Sequence, residues 1–419
     1  MRLRRTVLLA LILLISLFSL QGDSILPARV FDLQVEMLIA GCQFNLVGWV
    51  IGALGEKAVA LVQQPAPHPE ADAADLVQAY MRDAARIGRL EGRLTRSFSE
   101  SKEAATQVET LAIRDELAQL RRVQAQRRPQ VEAILEEQVS AVLKAEGLTT
   151  LGVVWPPVKF RFSEPPLYLI ISPRETIRLR KGVHLRPDID VAQREELESA
   201  IDARLGVSSL IEELGGFGAY PVMILDRAGL DWILSTIAHE WTHNYLVFHP
   251  LGWHYYDGPD TITLNETVAS IVGDEVGAKV LATYYPDLAA SSFPPRADPG
   301  VKAGSAPAFD FNATMRETRL RVDELLAQGK VEEAEAYMES QRQVFVAHGY
   351  PIRKLNQAYF AFHGSYATGP GAVDPIGPKL ERLRQMSPSL QAFLETAARF
   401  RSVADLDRAL ASLEEGPRG

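Results

Sequence analysis

The stretch H-E-W-T-H, residues 239 to 243, constrains this chain more than any other feature of its sequence. On a helix, two histidines four positions apart lie on one face, where both imidazoles can reach a single metal ion. Glu240 then lies one step around the helix, beside that ion. Apolar residues recur at helical intervals from Leu230 onwards, and neither proline nor glycine occurs before His249. The sequence therefore predicts a helix around this motif that carries two metal ligands, His239 and His243.

A third ligand is required, because a catalytic zinc site normally has three protein ligands and leaves a fourth position for water. His249 occupies the third-histidine position of the pattern H-E-x-x-H-x-x-G-x-x-H. Leu246, however, stands where that pattern has glycine, and the left-handed turn made there costs a leucine about 1 to 2 kcal/mol. Glu266, farther along the chain, is the other main candidate. Asp274 and Glu275 are further ones.

The segment T-L-N-E-T-V-A-S-I-V-G-D-E-V-G, which contains Glu266, predicts a second helix. Thr263 is its expected N-cap, since threonine side chains often accept a hydrogen bond from the first turn. Apolar residues at positions 268, 269, 271, 272 and 276 supply one face. We therefore expect Glu266 to point inward from the first turn of this helix.

The pairing of H-E-W-T-H with the downstream L-N-E-T-V-A resembles the gluzincin metallopeptidases, the clan of thermolysin-like enzymes and zinc aminopeptidases. In that group the glutamate of N-E-x-x-A or N-E-x-x-S is the third zinc ligand. The resemblance implies that His239, His243 and Glu266 bind Zn²⁺, that Glu240 is the general base, and that the catalytic domain is zincin-like. The two motifs are slightly farther apart than is common in the clan, so we expect an elaborated loop over 249–262.

The segment K-L-N-Q-A-Y-F-A-F-H-G-S-Y-A-T-G is similar to one in a family of bacterial proteins described as aminopeptidases. Asn356, Ala358 and Tyr366 match its recurring positions. In gluzincins a downstream tyrosine or histidine donates a hydrogen bond to the oxyanion, which makes Tyr366 the first choice for this role and His363 the second. The alternative is an aromatic helix face packed in the core. Further candidates, on the loop after the first helix, are Tyr255 and Tyr256.

A small sheet is predicted before the H-E-x-x-H helix. The proline-punctuated runs V-K-F-R-F, L-Y-L-I-I-S and T-I-R-L-R, between residues 151 and 190, are typical of strands, and a helix follows over 191–206. The segment G-G-F-G-A-Y-P-V-M-I-L, residues 215–225, predicts a glycine-rich turn and a short apolar strand. In zincins an edge strand beside the active helix pairs with the substrate backbone, and this segment is placed to do so. An ordinary core strand is the alternative.

At the N-terminus, Arg2, Arg4 and Arg5 precede an uncharged run, residues 6–22, that is mostly Leu, Ile and Val. This pattern predicts a signal peptide or a signal anchor, and the absence of a small-residue cleavage site favours the anchor. By the positive-inside rule the remaining chain lies outside the cytoplasm. A second uncharged stretch, 37–55, predicts an apolar helix that packs on the catalytic domain or lies at the membrane surface, with a second span as the alternative.

The composition fits a large globular core, because 47% of the 419 residues are hydrophobic. The net charge of −9 argues against a nucleic-acid partner. Helix-forming residues dominate 70–146 and predict a hairpin of two amphipathic helices, which could also form an oligomer. We expect an α+β, predominantly helical chain. Its predicted parts are a signal anchor or signal peptide (1–22), an apolar membrane-proximal segment (23–64), a helical hairpin region (65–150) and a zincin-like metallopeptidase domain (151–419).

The sequence thus predicts a zinc-dependent peptidase that hydrolyses peptide bonds through a metal-activated water. Its substrate is a peptide or protein, and both aminopeptidase and endopeptidase activity remain open. The predicted location is the cell membrane, with a single pass and the catalytic domain outside the cytoplasm; secretion is the alternative. The competing functions are an envelope scaffold with a structural or vestigial metal site, a metzincin-like protease that uses His249, and a hydrolase or oxygenase acting on other substrates. The intact Glu240 favours the peptidase, since a scaffold needs no base.

Overall fold

Helices predominate in the chain, and two three-stranded sheets lie among them, which confirms the expected α+β, predominantly helical class. The computed structural model describes residues 27–62, 70–100, 105–291, 309–364 and 375–414. The helices are α1 (Pro27–Leu38), α2 (Leu46–Val62), α3 (Glu70–Glu100), α4 (Ala105–Ala145), α5 (Val191–Leu205), α6 (Leu230–Leu246), α7 (Pro250–Trp253), α8 (Pro259–Tyr284), α9 (Pro286–Ser291), α10 (Phe311–Ala327), α11 (Val331–Ala347), α12 (Gln357–His363), α13 (Ile376–Met386), α14 (Leu390–Ala397) and α15 (Val403–Glu414). The strands are β1 (Phe160–Phe162), β2 (Leu167–Pro173), β3 (Lys181–Leu185), β4 (Val207–Glu213), β5 (Gly216–Phe217) and β6 (Val222–Ile224).

The first sheet is antiparallel with the strand order β3–β2–β4, and both of its faces are covered. Its central strand pairs Leu167 with Leu185 of β3 and with Glu213 of β4. One face packs on α1 and α5 through residues such as Leu169, and the other packs on α10, α11 and α12 through residues such as Ile170. As a result, the last five of the seven β2 residues are all buried. A strand that is covered on both faces does not show the usual alternation of buried and exposed side chains.

The second sheet has the order β1–β6–β5, with β6 parallel to β1 and antiparallel to β5. Helix α4 covers the outer edge of β1. Its buried Glu132 accepts a hydrogen bond from the Phe162 backbone N–H at 2.8 Å, and its buried Glu136 accepts one from the Phe160 N–H at 3.1 Å. The two carboxylates replace the missing neighbour strand and satisfy donors that would otherwise be buried without a partner.

Helices α6 and α8 form the centre of the main core. Two glycines of α8 allow their close approach: a Cβ at Gly273 would lie 2.7 Å from the Ser235 backbone oxygen, and a Cβ at Gly277 would lie 2.6 Å from the Ser235 backbone nitrogen. Helix α4, the sheet residue Phe160 and helices α13 to α15 surround the pair in one hydrophobic cluster. This packing holds the H-E-x-x-H helix against the helix that bears Glu266.

The predicted start of α8 was wrong. Thr263 is not its N-cap, because the helix already begins at Pro259, and Glu266 lies two turns inside it rather than in the first turn. Proline is favoured at the first helical position, where its missing N–H is not needed. The Thr261 hydroxyl accepts a hydrogen bond from the Gly258 N–H at 3.1 Å and thereby fixes the helix start.

Helix α6 carries the H-E-x-x-H motif as expected and ends at Leu246. Pro250 disfavours helical dihedrals in the residue before it, and His249 is extended, with φ −132° and ψ 158°. The loop to α8 contains the short helix α7 and a 3₁₀ turn, Tyr255–Asp257, which agrees with the elaborated connection that was expected.

The predicted strand T-I-R-L-R, residues 176–180, is irregular, and β3 begins only at Lys181. Ile177 and Leu179 pack against the hydrophobic cluster of α10 to α12 instead of pairing in the sheet. The other predicted elements of this region were found: β1, β2 and the helix α5. The predicted helical hairpin is formed by α3 and α4, and Gly329 marks the turn between α10 and α11 with φ 73°.

The uncharged stretch 37–55 is divided between two helices by a turn over 39–45. Helix α1 buries Phe31 and Val35 against the first sheet, and the Phe44 N–H donates to the His184 carbonyl at 3.0 Å. Within the described ranges, no helix is both long enough and apolar enough to cross a membrane. The predicted signal anchor, residues 1–22, lies outside the described residues.

Candidate metal centre

Three potential ligands converge between α6 and α8. The Nε2 atoms of His239 and His243 are 3.0 Å apart. Glu266 Oε2 lies 3.5 Å from the first of these nitrogens and 3.4 Å from the second. In the part of the chain that the structure describes, these are the side chains whose ligand atoms gather within 4.8 Å of one another. The helical spacing of the histidines and the close approach of the two helices together place the three atoms around one point.

Each of these side chains is oriented by a neighbour. His243 Nδ1 lies 2.8 Å from Asn265 Oδ1, and His239 Nδ1 lies 3.5 Å from Ser270 Oγ. Tyr255 donates its hydroxyl hydrogen to Glu266 Oε1 at 2.7 Å. Such contacts leave the opposite nitrogen of each imidazole, and the second oxygen of the carboxylate, directed toward the shared point.

The electrostatics of the group favour a cation. Glu266 Oε2 is buried and accepts no hydrogen bond from the described residues. Burial alone would raise the pKa of Glu266, yet His243 and His239 hold it well below its usual range. Burial likewise opposes a charged imidazole, but Glu266 outweighs it and raises the pKa of His243 to about 9. A buried carboxylate with a free oxygen and two imidazole nitrogens is a donor set that suits zinc, so the residues present fit the metal.

Glu240 lies beside this group without belonging to it. Its carboxylate makes no hydrogen bond with the described part of the chain, and burial raises its pKa above the usual value. The backbone of β5 approaches it closely, since a Cβ at Gly216 would lie 2.7 Å from Glu240 Oε1 and one at Gly218 would lie 3.4 Å from Oε2. A carboxylate that faces a cavity with no partner is free to accept a proton.

A cavity of about 1080 Å³ opens onto the metal group. His239, Glu240 and Glu266 form part of its helical side, while Tyr168 and His184 belong to the side made by the first sheet. The acidic side chains of the lining lie on α6 and α8, whereas the basic ones lie on the β2–β3 hairpin and on α10. The acidic residues are Glu240, Asp260 and Glu266, and the basic residues are Arg178, Arg180, Lys181 and Arg319. The cavity has room for an extended ligand beside the metal group.

The other candidates for the third ligand do not reach this point. His249 Nδ1 instead lies 3.2 Å from the Tyr245 carbonyl oxygen, and its ring packs on the Tyr245 ring. Leu246 is fully buried and stays helical, so no left-handed turn brings His249 back toward His239. Glu275 forms ion pairs with Lys279 and Arg384, and Asp274 is not part of the ligand group.

The candidates for the oxyanion donor have different outcomes. Tyr366 lies outside the described residues. His363 packs between the rings of Tyr359 and Phe362, and burial lowers its pKa to about 4, which keeps it neutral. Tyr255 binds Glu266, as described above, and the exposed Tyr256 lies at the cavity.

The segment around residue 356 has a structural role in its first half. Asn356 is the N-cap of α12, accepting from the Tyr359 N–H at 2.9 Å and donating to the Ser209 carbonyl of β4 at 2.9 Å. Ala358 and Phe360 are buried in the adjoining core. The alternative of an aromatic helix face packed in the core therefore describes this part of the segment.

The glycine-rich segment before α6 contains both a core strand and an edge strand. Strand β6 is a buried core strand at the centre of its sheet, whereas β5, Gly216–Phe217, is at the edge. Gly216, Phe217 and Gly218 line the cavity. The edge of the sheet thus lies where a bound peptide could pair with it.

Three contacts of the site were not anticipated from the sequence: those of Asn265, Ser270 and Tyr255. Asn265 directly precedes Glu266 in the N-E motif, and this adjacency is a signal that could have identified it. Gly273 and Gly277 are four residues apart on one helix face, which indicates a close helix contact.

Comparisons of the chain with protein-family models, with curated proteins and with solved structures found no match in any of the three.

Proposed function

We propose that this protein is a zinc-dependent peptidase of the gluzincin type, which hydrolyses peptide bonds and is held at the membrane by its N-terminal segment. The observation that carries the proposal is the convergence of His239, His243 and Glu266 in the lining of a large cavity, beside Glu240, which has no hydrogen-bond partner among the described residues. The H-E-x-x-H and N-E-x-x-A motifs lie on two packed helices, an arrangement that is consistent with a zincin-like domain.

In this proposal His239 Nε2, His243 Nε2 and Glu266 Oε2 hold the ion. When bound, zinc supplies a Lewis acid and lowers the pKa of a coordinated water toward about 7. Asn265 and Ser270 keep the imidazole rings in the orientation that binding requires. Tyr255 keeps the Glu266 carboxylate in place.

Glu240 is the proposed general base. Its carboxylate faces the cavity, has no competing hydrogen-bond partner among the described residues and is close to the ligands. It would take a proton from the attacking water and later return it to the leaving amine. Strand β5 would align the substrate backbone along the cavity, and Tyr366 remains the proposed oxyanion donor, with His363 as the second choice.

The test is a digest of a peptide library by the full-length protein after removal of metal and after titration with zinc. Hydrolysis should be absent from the metal-free protein and should appear in proportion to added zinc. Magnesium serves as the control ion, because the two imidazoles suit zinc and not magnesium. A protein that binds about one zinc ion but cleaves no peptide would contradict the proposal and would favour the scaffold function.

A further inference from the structure

Helix α2 has an uncharged face that is open to solvent. Val47, Ile51 and Leu54 lie along this face at helical spacing, with side chains that are 70%, 67% and 47% exposed. Exposed glycines extend the face on one side, at positions 48, 52 and 55. No charged residue occurs between Leu46 and Gly55. Large apolar side chains gathered on one face of a helix mark an interaction surface rather than ordinary exposure.

The opposite side of α2 is bound to the protein. Lys57 forms ion pairs with Glu132 at 2.7 Å and with Glu136 at 2.8 Å. Arg161 forms an ion pair with Glu56 at 2.8 Å. Glu56 and Lys57 are thus paired with the protein and Ala53 is buried, whereas Val47, Ile51 and Leu54 face outward, so the exposed face of α2 carries no charge.

Helix α1 repeats the pattern. Val30, Leu33 and Met37 are exposed along one side at helical spacing. Phe31 and Val35 lie on the other side and are buried against the first sheet. Both helices at the start of the described chain therefore expose apolar side chains along one side.

The position of α1 in the chain indicates what covers this surface. The uncharged run 6–22, which predicts a membrane anchor, ends five residues before Pro27, and five extended residues span at most about 18 Å. If that run is in the bilayer, the start of α1 must lie within this distance of it. Because the anchor would already hold the chain at the membrane, contact between these helices and the bilayer would cost little additional translational entropy.

We propose that α2 lies in the interface of the lipid bilayer, with Val47, Ile51 and Leu54 in contact with acyl chains and α1 leading to it from the anchor. A bilayer is the occupant we choose because this face offers no polar group by which a protein partner could be selected. The contact goes beyond peptidase activity and does not depend on it, although it rests on the proposed anchor. It would hold the protein body in a fixed orientation to the membrane.

The test uses the full-length protein in vesicles of neutral phospholipid, with Cys42→Ser as the background. Leu54→Cys is labelled with an environment-sensitive fluorophore, and Leu413→Cys is the matched control, an exposed leucine of the C-terminal helix α15. An interfacial helix buries its apolar face about 5 to 10 Å into the headgroup and acyl boundary. We therefore expect lipids with a quencher at a shallow acyl position to reduce the emission from residue 54 roughly twofold, and to leave that from residue 413 unchanged.

Three results would overturn the proposal. Emission from residue 54 that resembles aqueous dye would show that the face remains in water. Emission that indicates burial without lipid quenching would show that another protein surface, either residues 6–22 or a second copy, covers the face. A full-length chain that does not float with the vesicles would contradict the anchor as well, and so separates that failure from failure of the α2 contact alone. Peptide hydrolysis is not a readout in any of these measurements.

Discussion

The hydroxyl of Tyr255 donates a hydrogen bond to Glu266 Oε1 at 2.7 Å, while Glu266 Oε2 faces the nitrogens of His239 and His243. The two oxygens of one carboxylate thus have separate tasks. One is held by the loop between α6 and α8, and the other is left without a hydrogen bond from the described residues. Because the carboxylate is fixed in this way, its free oxygen is presented to a cation in a single orientation.

We expect Tyr255→Phe to weaken zinc binding about 10- to 100-fold, the usual effect of removing a partner of a metal ligand. The ring remains and continues to pack edge-on against His243, so the melting temperature should change little. Competition with a chromophoric chelator measures the affinity. Tyr256→Phe is the matched control, since its side chain is 89% exposed. Equal zinc affinities for the two variants would show that the hydrogen bond does not support the site.

The identity of the third ligand can be tested by metal content. We expect the parent protein to hold about one zinc ion per chain and Glu266→Ala to lose most of it, because two imidazoles alone bind zinc weakly. His249→Ala should retain the zinc, since its ring packs on Tyr245 away from the group. Elemental analysis of the purified proteins decides between them. The reverse pattern would assign the third position to His249.

Local patterns predicted most of the elements but few of the contacts. The spacing of His239 and His243 sufficed to place two imidazoles on one helix face, because that geometry depends only on residues four apart. The interaction of Tyr255 with Glu266 could not be predicted, since it requires the loop and α8 to meet in three dimensions. The start of α8 was misjudged because the proline signal at 259 outweighs the capping tendency of Thr263.

The contact between α6 and α8 depends on glycine. We expect Gly273→Ala to lower the free energy of unfolding by about 1 to 3 kcal/mol, because the new Cβ would lie 2.7 Å from the Ser235 oxygen and 2.9 Å from the His239 Cβ. The resulting shift should also weaken zinc binding. Gly88→Ala in α3 is the control: its Cβ would meet no atom within 4 Å, and alanine should stabilise that helix by about 0.5 to 1 kcal/mol. Urea unfolding measures both changes. A Gly273→Ala variant as stable as the parent protein would contradict the tight contact between α6 and α8.

Glu212 on β4 should make stability depend on pH. Burial raises the pKa of Glu212 to about 7, with Glu198 and Glu213 acting in the same direction and Arg353 opposing them. A carboxyl whose pKa is higher in the folded state contributes stability that is complete below its unfolded pKa and is lost as pH rises through about 7. The parent protein should therefore lose unfolding free energy between pH 5 and pH 8. We expect the Glu212→Gln variant to lose about 2 kcal/mol less than the parent over the same range.

The control for that measurement is Glu213→Gln, the next residue, whose side chain is 70% exposed and pairs with Arg194. It should keep most of the parent's change in unfolding free energy between the two pH values, because burial, and not the charge of Glu213, is the largest cause of the raised pKa of Glu212. Urea unfolding of all three proteins at both pH values provides the comparison. If Glu212→Gln and the parent lose equal stability, the carboxyl of Glu212 does not titrate in this range.

The last prediction concerns the base. Glu240 is next to a ligand but outside the ligand group, so Glu240→Gln should keep the shape of the site and its zinc while removing the proton acceptor. General-base catalysis is commonly worth about 10² to 10⁴ in rate, or roughly 3 to 5 kcal/mol of barrier. Zinc content and melting temperature should barely change, whereas kcat for peptide hydrolysis should fall by at least this factor. Asp231→Asn is the control on the same helix: it makes the same change of acid to amide in the first turn of α6, away from the ligands, and should leave the rate unaltered. Hydrolysis by Glu240→Gln at the parental rate would show that another group takes the proton, and the gluzincin mechanism would then be wrong.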